Sequence, residues 1–189
     1  MKKIFVIIFL VLVTPVLAED IFKTSQENDK TTYTVFLDGD IALPAVYRDI
    51  ILTLNTAKES DTFVFIINTH GGMADSCFAI CNAIKKTKAN TIADLYTGYS
   101  AGAFIALSCG EIKINPNTTM MLHGMQGGNG EGSISQLFTR ADFFNRLNKE
   151  VILYFCKNFL TEFEINKLLS GEEIWLTSSE IKIKIEGKK

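Results

Sequence analysis

The chain has 189 residues, of which 47% are hydrophobic and 21% charged, and its formal net charge is -2. A chain of this length and composition can bury one hydrophobic core, which excludes disordered and low-complexity architectures. Its 3 Pro and 13 Gly exclude collagen-like classes. A near-neutral charge without a basic cluster argues against a nucleic-acid-binding protein. The function therefore has to be sought in local motifs.

The N-terminal residues differ in composition from the rest of the chain. Lys2 and Lys3 precede an unbroken apolar run over residues 4–13, and Ala18 stands where a signal peptidase would cut. A run of ten residues is short for a membrane span, which needs about 20. The pattern is typical of a secretory signal peptide. We expect residues 1–18 to be a signal peptide and the protein to be exported, either periplasmic or extracellular. The alternative is an uncleaved N-terminal membrane anchor.

The chain has four cysteines, and an even number in an exported protein is compatible with two disulfides. Cys77 and Cys81 are four residues apart on a predicted helix, which separates their Cβ atoms by about 5–6 Å. A disulfide prefers about 3.8 Å, so we do not expect these two to pair. We interpret them as buried thiols that share a helix face with Ile80. No metal site is expected, because the sequence has no CxxC pair and neither histidine stands at a ligand spacing. The other two cysteines are Cys109 and Cys156.

Residues 19–189 are predicted to form a single domain in which strands and helices alternate. The polar stretch 19–31 predicts no regular structure. The apolar run TFVFII at 62–67 is typical of a strand buried on both faces. The alternation predicts an α/β fold with a mostly parallel sheet and right-handed crossovers. The predicted strands are 32–37, 62–67, 91–96, 111–114 and 119–123, and the predicted helices are 44–57, one carrying residues 77–84, and 101–108.

The C-terminal part of the chain is predicted to be mainly helical. Residues 124–132 contain five glycines in nine positions and predict an exposed, deformable segment. A long amphipathic helix is predicted over 134–158, because apolar residues recur there at spacings of three and four. A short helix at 161–169 and a small strand at 175–176 follow. The tail 180–186 alternates isoleucine with charged residues and fits either an edge strand or the end of a helix.

The sequence G-Y-S-A-G at residues 98–102 fits the G-x-S-x-G pattern. A serine at a sharp strand-to-helix turn is held away from the backbone with a helix N-terminus beneath it. The amide of Ala101 would then point to the place where an oxyanion forms. The pattern predicts Ser100 as a nucleophile. The alternative is a glycine-rich helix start with Ser100 as its N-cap.

The two histidines compete for the role of general base. His123 follows an apolar strand where glycine-rich sequence begins, which is the position of a base on the rim of a sheet. Its alternative interpretation is a structural histidine bonded to a backbone carbonyl. His70 lies beside the glycine pair 71–72, whose free amides could complete an oxyanion hole. An acid that orients the base is also needed, and Glu172 and Glu173 are the candidates. The alternative interpretation of Glu172 and Glu173 is that both are solvated glutamates at a helix end.

These blocks together resemble the proteolytic subunit of Clp protease. The chain has N-T-H-G-G at 68–72, S-A-G-A-F at 100–104 and N-T-T-M-M-L-H at 117–123. The family pattern is I-N-S-P-G-G, then A-S-M-G-A-F, then N-S-R-x-M-I-H-Q-P. The resemblance covers residues 32–180. It implies a Clp/crotonase-like fold of repeated β-β-α units with a mostly parallel sheet. It also implies a protruding handle, a strand plus a long helix at about 124–158, through which rings of subunits pack face to face.

The resemblance also implies roles for single residues. Ser100 matches the nucleophile, His123 the general base and Glu173 the acid, while Gly72 and Ala101 match the backbone donors of the oxyanion hole. These residues would make the domain 19–189 a serine endopeptidase that cleaves peptides or unfolded proteins through an acyl-enzyme, without a metal or other cofactor. A homo-oligomeric ring, single or stacked, is the expected assembly.

The chain departs from the family pattern at several positions. The acid is Glu instead of Asp, which leaves the choice between Glu172 and Glu173 open. His70 replaces the proline before the glycine pair, and Gly124 and Met125 replace the Q-P after the histidine. The family normally works with an AAA+ ATPase, but ATP is absent outside the cytoplasm. An exported enzyme is therefore expected to act alone.

Three alternatives from other classes remain at this point. An exported Ser-Lys peptidase resembling signal peptide peptidase A would use Lys149 as its base. An inactive Clp-like ring subunit would serve assembly or binding. A crotonase-type acyl-CoA enzyme shares the two-amide oxyanion hole but has no need for a serine and a histidine at these spacings.

Overall fold

The computed structural model describes residues 22–27, 29–127 and 130–187. The expected signal peptide, residues 1–18, lies outside the described residues. Within the described ranges, no helix is both long and apolar enough to cross a membrane.

In this part of the chain, six strands form one sheet in the order of the sequence. The four central strands β2 to β5 are parallel, and the two outer strands are antiparallel to their neighbours. The predicted mostly parallel sheet is therefore confirmed. The strands are β1 (Phe22–Glu27), β2 (Lys30–Leu37), β3 (Thr62–Thr69), β4 (Asn90–Tyr99), β5 (Glu111–Leu122) and β6 (Ile174–Thr177).

The helices connect and flank these strands, and their predicted positions are confirmed within one or two residues. A 3₁₀ turn at Pro44–Tyr47 leads into the first helix. The tail, for which the sequence left two possibilities, is a helix. The helices are α1 (Arg48–Thr56), α2 (Ala74–Lys86), α3 (Ala101–Ser108), α4 (Ile134–Cys156), α5 (Glu162–Leu169) and α6 (Ser178–Glu186).

The strand order explains the position of the core. Parallel strands that follow one another across a sheet, joined by right-handed crossovers, have all their connecting helices on one face. Consistent with this, α2 contacts both α1 and α3. In β3, Phe63, Phe65 and Ile67 are buried, whereas Val64 and Ile66 on the other face are half-buried. The prediction that this strand is buried on both faces is therefore wrong, because its second face stays partly exposed.

Two other predictions for the strands need correction. The stretch 19–31, predicted to lack regular structure, contains β1 and the start of β2, which form a hairpin with Asp29 at positive φ (61°) in its turn. Backbone hydrogen bonds to β2 hold β1 at the sheet edge. The strand can therefore be polar, because it does not depend on an apolar face. The two short strands predicted at 111–114 and 119–123 are one strand, β5, with a register shift in its pairing with β4.

Helix α4 is buried only near its C-terminal end. Val151, Ile152 and Cys156 are buried there, whereas all residues from Ile134 to Arg146 are exposed. This exposed first half occupies the place of the expected handle. The strand expected with it is not found among residues 124–127 and 130–133, which are irregular in the described structure.

All four cysteines are buried, as the interpretation of Cys77 and Cys81 as packed thiols requires. The sulfur atoms of Cys77 and Cys81 are 3.8 Å apart, and Cys77 also contacts the carbonyl oxygen of Ala101 at 3.5 Å. The hydrogen bond with Cys81, together with burial, raises the pKa of the Cys77 thiol, and burial raises the pKa of Cys109. These thiols therefore remain protonated packing groups.

An ion pair joins the two helices that flank β6. Lys184 of α6 donates to both carboxylate oxygens of Glu164 in α5, at 2.6 and 2.7 Å. Glu164 also accepts from the amide and hydroxyl of Thr161 and so completes the capping box of α5. Burial alone would raise the pKa of Glu164, but the bonds from Lys184 and Thr161 outweigh it and hold this pKa below its ordinary value.

We predict that Lys184→Met lowers the free energy of unfolding at pH 7 by roughly 1.5 kcal/mol, the lower end for hydrogen bonds to charged groups, because both side chains keep some solvent contact. A carboxyl whose pKa is lowered in the folded state stabilises the protein above its unfolded pKa of about 4.3. That contribution is lost as the pH falls through the lowered pKa. Urea unfolding of both proteins at pH 7 and near pH 3 measures the difference. An equal difference at the two pH values would contradict this account.

Candidate active site

Ser100 occupies the turn between β4 and α3 in a backbone conformation that is rare for a residue with a side chain. Its φ is 51° and its ψ is -117°. Such a conformation costs on the order of 1–3 kcal/mol and persists only where the surroundings hold it. The Ser100 amide donates to the carbonyl of Met121 in β5 at 2.9 Å, and its carbonyl accepts from Ala103 at 3.0 Å. Ser100 stands at the N-cap position of α3, as its alternative interpretation expected, but its side chain makes no capping bond to the helix.

The glycine pair lies directly against this serine. Gly71 and Gly72 have φ of 111° and 148°, which favour glycine. Ile41 fixes the segment by donating to the Gly71 carbonyl at 2.8 Å and accepting from Met73 at 2.9 Å. A Cβ on Gly71 would come within 2.7 Å of the Ser100 Cβ, and one on Gly72 within 2.3 Å of the Ile41 oxygen. Only glycine therefore allows this backbone to approach the serine.

Two backbone amides beside Ser100 are available to bind an anion. Within the described ranges, neither Gly72 nor Ala101 donates its amide to a protein acceptor. Ala101 begins α3, where the helix dipole favours negative charge. Both residues border the same cleft as Ser100. The arrangement fits the two donors of an oxyanion hole.

The cleft that contains these groups has a volume of about 640 Å³. Ser100, His123 and His70 all border it, so the structure brings the proposed nucleophile and both candidate bases together. The rest of its wall combines the polar residues Asp75 and Gln126 with apolar ones, which are Met73, Ala74, Cys77, Phe78, Phe104, Met125 and Val151.

His123 follows the last residue of β5, the strand whose Met121 carbonyl holds Ser100. Its Nδ1 is 2.5 Å from the carbonyl oxygen of Gly124. A carbonyl can only accept, so we assign the proton to Nδ1, which leaves the lone pair of a neutral ring on Nε2. The histidine is bonded to a backbone carbonyl, as one of its two interpretations expected, but this same bond selects the tautomer that a general base needs. No hydrogen bond joins Ser100 to His123 in the described structure.

Glu173 does not border the cleft that contains Ser100. Glu173 and His123 both border a second, smaller groove of about 340 Å³. The carboxylate of Glu173 accepts from the indole nitrogen of Trp175 at 2.8 Å, and no bond to His123 is found among the described residues. Glu172 instead pairs with Lys167 at 3.4 Å and does not border the groove. Of the two candidate acids, Glu173 is thus the one placed beside the histidine.

An aromatic cluster that the sequence analysis missed supports this side of the site. The ring of His70 stacks on Tyr99 at 5.3 Å, and Tyr99 meets Trp175 edge-on at 5.0 Å. Tyr99, Met121 and Trp175 are opposite one another in β4, β5 and β6. The pairing register of β4, β5 and β6 would have revealed this cluster. That register cannot be predicted from the sequence of each strand by itself. Stacking on Tyr99 holds the His70 ring against the sheet at the border of the cleft.

A second missed residue is Asn148 of α4. Its side-chain oxygen accepts from the amide of Met125 at 2.7 Å, immediately after the carbonyl that binds His123. Nothing in the helical periodicity distinguishes Asn148 from exposed polar residues such as Asn145.

We predict that Gly71→Ala lowers the free energy of unfolding by about 1–2 kcal/mol or more, because an alanine is strained at this φ and its Cβ would collide with Ser100. Gly39→Ala is the matched control, since a Cβ there has nothing within 4 Å. Urea unfolding of the two variants measures both effects. Equal stability of the two alanine variants would show that the glycine pair is not pressed against the serine.

Comparison with known proteins identifies the family of the chain. The sequence model of the family described as Clp protease matches residues 22–183. Over 125 residues, the chain is 31% identical to a protein of Pleurastrum terricola named ATP-dependent Clp protease proteolytic subunit. That stretch covers 62% of this chain and 62% of the relative, so it spans less than two thirds of the relative's length. Because the family match covers most of the described structure, including both sides of the cleft, the chain belongs to the Clp protease family.

Proposed function

We propose that this protein is a serine endopeptidase that cleaves peptides or unfolded polypeptides. The observation that carries the proposal is the composition of the cleft. One wall holds a serine in a strained strand-to-helix turn, and a histidine and two unpaired backbone amides border the same space. A nucleophile, a base and an oxyanion hole in one cleft are the parts that acyl transfer requires. The family of the chain supports the same reaction class.

The proposed reaction follows from these positions. Nε2 of His123 accepts the proton of the Ser100 hydroxyl as the oxygen attacks the peptide carbonyl. The amides of Gly72 and Ala101 bind the resulting oxyanion, and the imidazolium then gives its proton to the leaving amine. Water then attacks the acyl group while His123 accepts its proton, and His123 returns a proton to the departing Ser100 oxygen. Catalytic hydrogen bonds often tighten only when substrate binds, so the Ser100–His123 bond belongs to the complex with substrate.

Glu173 is the proposed acid of the site. Its carboxylate is held by Trp175 next to the groove that it shares with His123. From there it supplies negative charge that stabilises the imidazolium, while the Gly124 carbonyl occupies Nδ1. Because Glu173 does not have to bond to Nδ1 itself, the longer side chain of Glu can take the place of the Asp that the family has here.

The cleft also suggests which substrates fit. Its wall between the serine and α4 is formed mainly by apolar side chains, among them Phe78, Phe104 and Val151. We propose that an apolar side chain next to the scissile bond occupies this part. Unfolded chains expose such side chains, which folded proteins bury.

We predict that Ser100→Ala and His123→Ala each reduce peptidase activity by roughly 10⁴-fold or more, because both residues take part in bond making. Glu173→Gln is expected to lose less, since its carboxylate is not bonded to the imidazole. Hydrolysis of fluorogenic peptides measures activity, and a fluorophosphonate probe measures nucleophilicity. Gln26→Ala, on the exposed edge strand β1, controls for nonspecific loss. Full activity of Ser100→Ala would overturn the proposal.

The same assay separates the alternatives. Lys149 is exposed on α4 and does not border the cleft, so Lys149→Ala should keep activity, against a Ser-Lys mechanism. His70→Ala should change the rate but keep labelling of Ser100. If His70→Ala abolished labelling while His123→Ala kept it, His70 would be the base. An inactive ring subunit or an acyl-CoA enzyme would not react with the probe at Ser100.

We propose that the protein assembles as a homo-oligomeric ring, with a second ring stacked on it through the first half of α4. The supporting observation is the exposed apolar surface of that segment. Phe138 and Ile134 are about three quarters exposed, and Phe143 and Phe144 about half exposed. Among the described residues, none covers this apolar surface of α4, and large exposed apolar patches mark interaction sites.

We predict a ring-sized mass by light scattering at micromolar concentration. Phe138→Asp should halve this mass if α4 joins two rings, because a charge in the contact is desolvated without a partner. Thr139→Asp, the next residue on the same exposed segment, is the matched control and should leave the mass unchanged. A monomeric wild-type protein would contradict the assembly proposal.

We also propose that the protein is exported, and this proposal depends on residues 1–18 acting as a signal peptide. If those residues direct export, the enzyme acts without an ATPase. An AAA+ ATPase partner is proposed only for a chain that stays in a compartment with ATP.

A further inference from the structure

We propose that Asn148 is a positioning residue that orients the His123 imidazole through the peptide group between Gly124 and Met125. This inference rests on the proposed function of His123 as a base. It assigns a role in the reaction to a residue of α4, a helix that otherwise borders the cleft only with apolar side chains.

Two hydrogen bonds meet on this one peptide group. Its carbonyl, from Gly124, accepts from Nδ1 of His123 at 2.5 Å. Its N–H, from Met125, donates to the side-chain oxygen of Asn148 at 2.7 Å. A peptide group is planar, and in the trans form its C=O and N–H point in opposite directions. Asn148 and His123 are therefore attached to the two ends of one rigid unit, and a rotation of that unit would break both bonds.

The peptide group has little else to hold it. Strand β5 ends at Leu122, and residues 124–127 make no other backbone hydrogen bond within the described structure. Gly124 also lacks a side chain that could anchor it, and a Cβ there would lie 2.9 Å from the Asn148 side chain. The bond to Asn148 is thus the contact that fixes the plane of the peptide. α4 itself is anchored in the core by Ile152, which is fully buried.

The orientation of this peptide has a chemical consequence. Its carbonyl can only accept a hydrogen bond, so it keeps the proton of neutral His123 on Nδ1. The lone pair then lies on Nε2, the nitrogen that has to receive the proton of Ser100. Glu173 does not fulfil this task in the described structure, because no hydrogen bond joins its carboxylate, which accepts from Trp175, to His123. Asn148 thus supports through the backbone what a triad acid usually does directly.

The test compares two substitutions of Asn148. Asn148→Leu has a similar shape but no acceptor, whereas Asn148→Asp keeps an acceptor oxygen for the Met125 amide. We expect Asn148→Leu to lower kcat by roughly 10- to 100-fold, the effect of a misplaced catalytic group, with KM little changed. Asn148→Asp should restore most of the activity. Asn145→Leu is the matched control, because Asn145 borders the same groove one turn earlier on α4 but makes no bond to this peptide.

A second measurement does not depend on activity. The ¹⁵N chemical shifts of the imidazole nitrogens report which nitrogen carries the proton of a neutral histidine. The chain has only two histidines, so a His70→Ala background assigns the signals to His123. We expect the Nδ1-protonated form in the full-length wild type and in Asn148→Asp, and a mixture of both forms in Asn148→Leu. If Asn148→Leu does not fold, Asn148→Ala, which adds no bulk, is measured in its place.

The outcomes separate this inference from the proposed function. Wild-type kcat and an unchanged tautomer in Asn148→Leu would overturn the role of Asn148, while inactive Ser100→Ala and His123→Ala would still support a peptidase. Full activity of Ser100→Ala would overturn the peptidase proposal, and the tautomer measurement would still decide whether Asn148 orients His123. A loss in Asn148→Leu that Asn148→Asp does not restore, with an unchanged tautomer, would also reject the inference.

Discussion

The hydrogen bond from the Ser100 amide to the Met121 carbonyl is the contact on which the rest of the site depends. It ties the end of β4 to the end of β5 and holds Ser100 in a conformation that an isolated turn would avoid. The residue after Ser100 begins α3 and offers a free amide, and the second residue after Met121 is His123. A single backbone bond between neighbouring strands thus sets the relative positions of the proposed nucleophile, base and oxyanion donor.

The one-sided arrangement of the helices determines what surrounds this point. Because α1, α2 and α3 share one face of the sheet, the cleft opens between α2, α3 and the buried end of α4. The other face carries the stacked rings of His70, Tyr99 and Trp175, which reach Glu173 at the edge strand β6. The histidine at the end of β5 stands between these two regions. It borders both the cleft and the groove that contains Glu173 and Asn148.

Much of the fold could be predicted because strong periodicity marks its helices and its central strands. Ser100 and His123 could be singled out because each follows a predicted strand where glycine-rich sequence stands, and the structure places both at one cleft. The hairpin of β1 could not be predicted, since a polar edge strand is stabilised by backbone bonds that leave no pattern in its side chains. Asn148 was missed for a related reason, because its bond reaches a backbone amide 23 residues away. The partner of Glu173 depends on the rotamer of Trp175, which sequence spacing does not encode.

The most direct test of the account is to identify the residue that a fluorophosphonate probe modifies in the full-length protein. Mass spectrometry of the labelled and digested wild-type protein gives the modified peptide. We expect a single label on Ser100, which is lost in Ser100→Ala and strongly slowed in His123→Ala. An absence of labelling, or a label on another serine such as Ser108 at the far end of α3, would contradict the account.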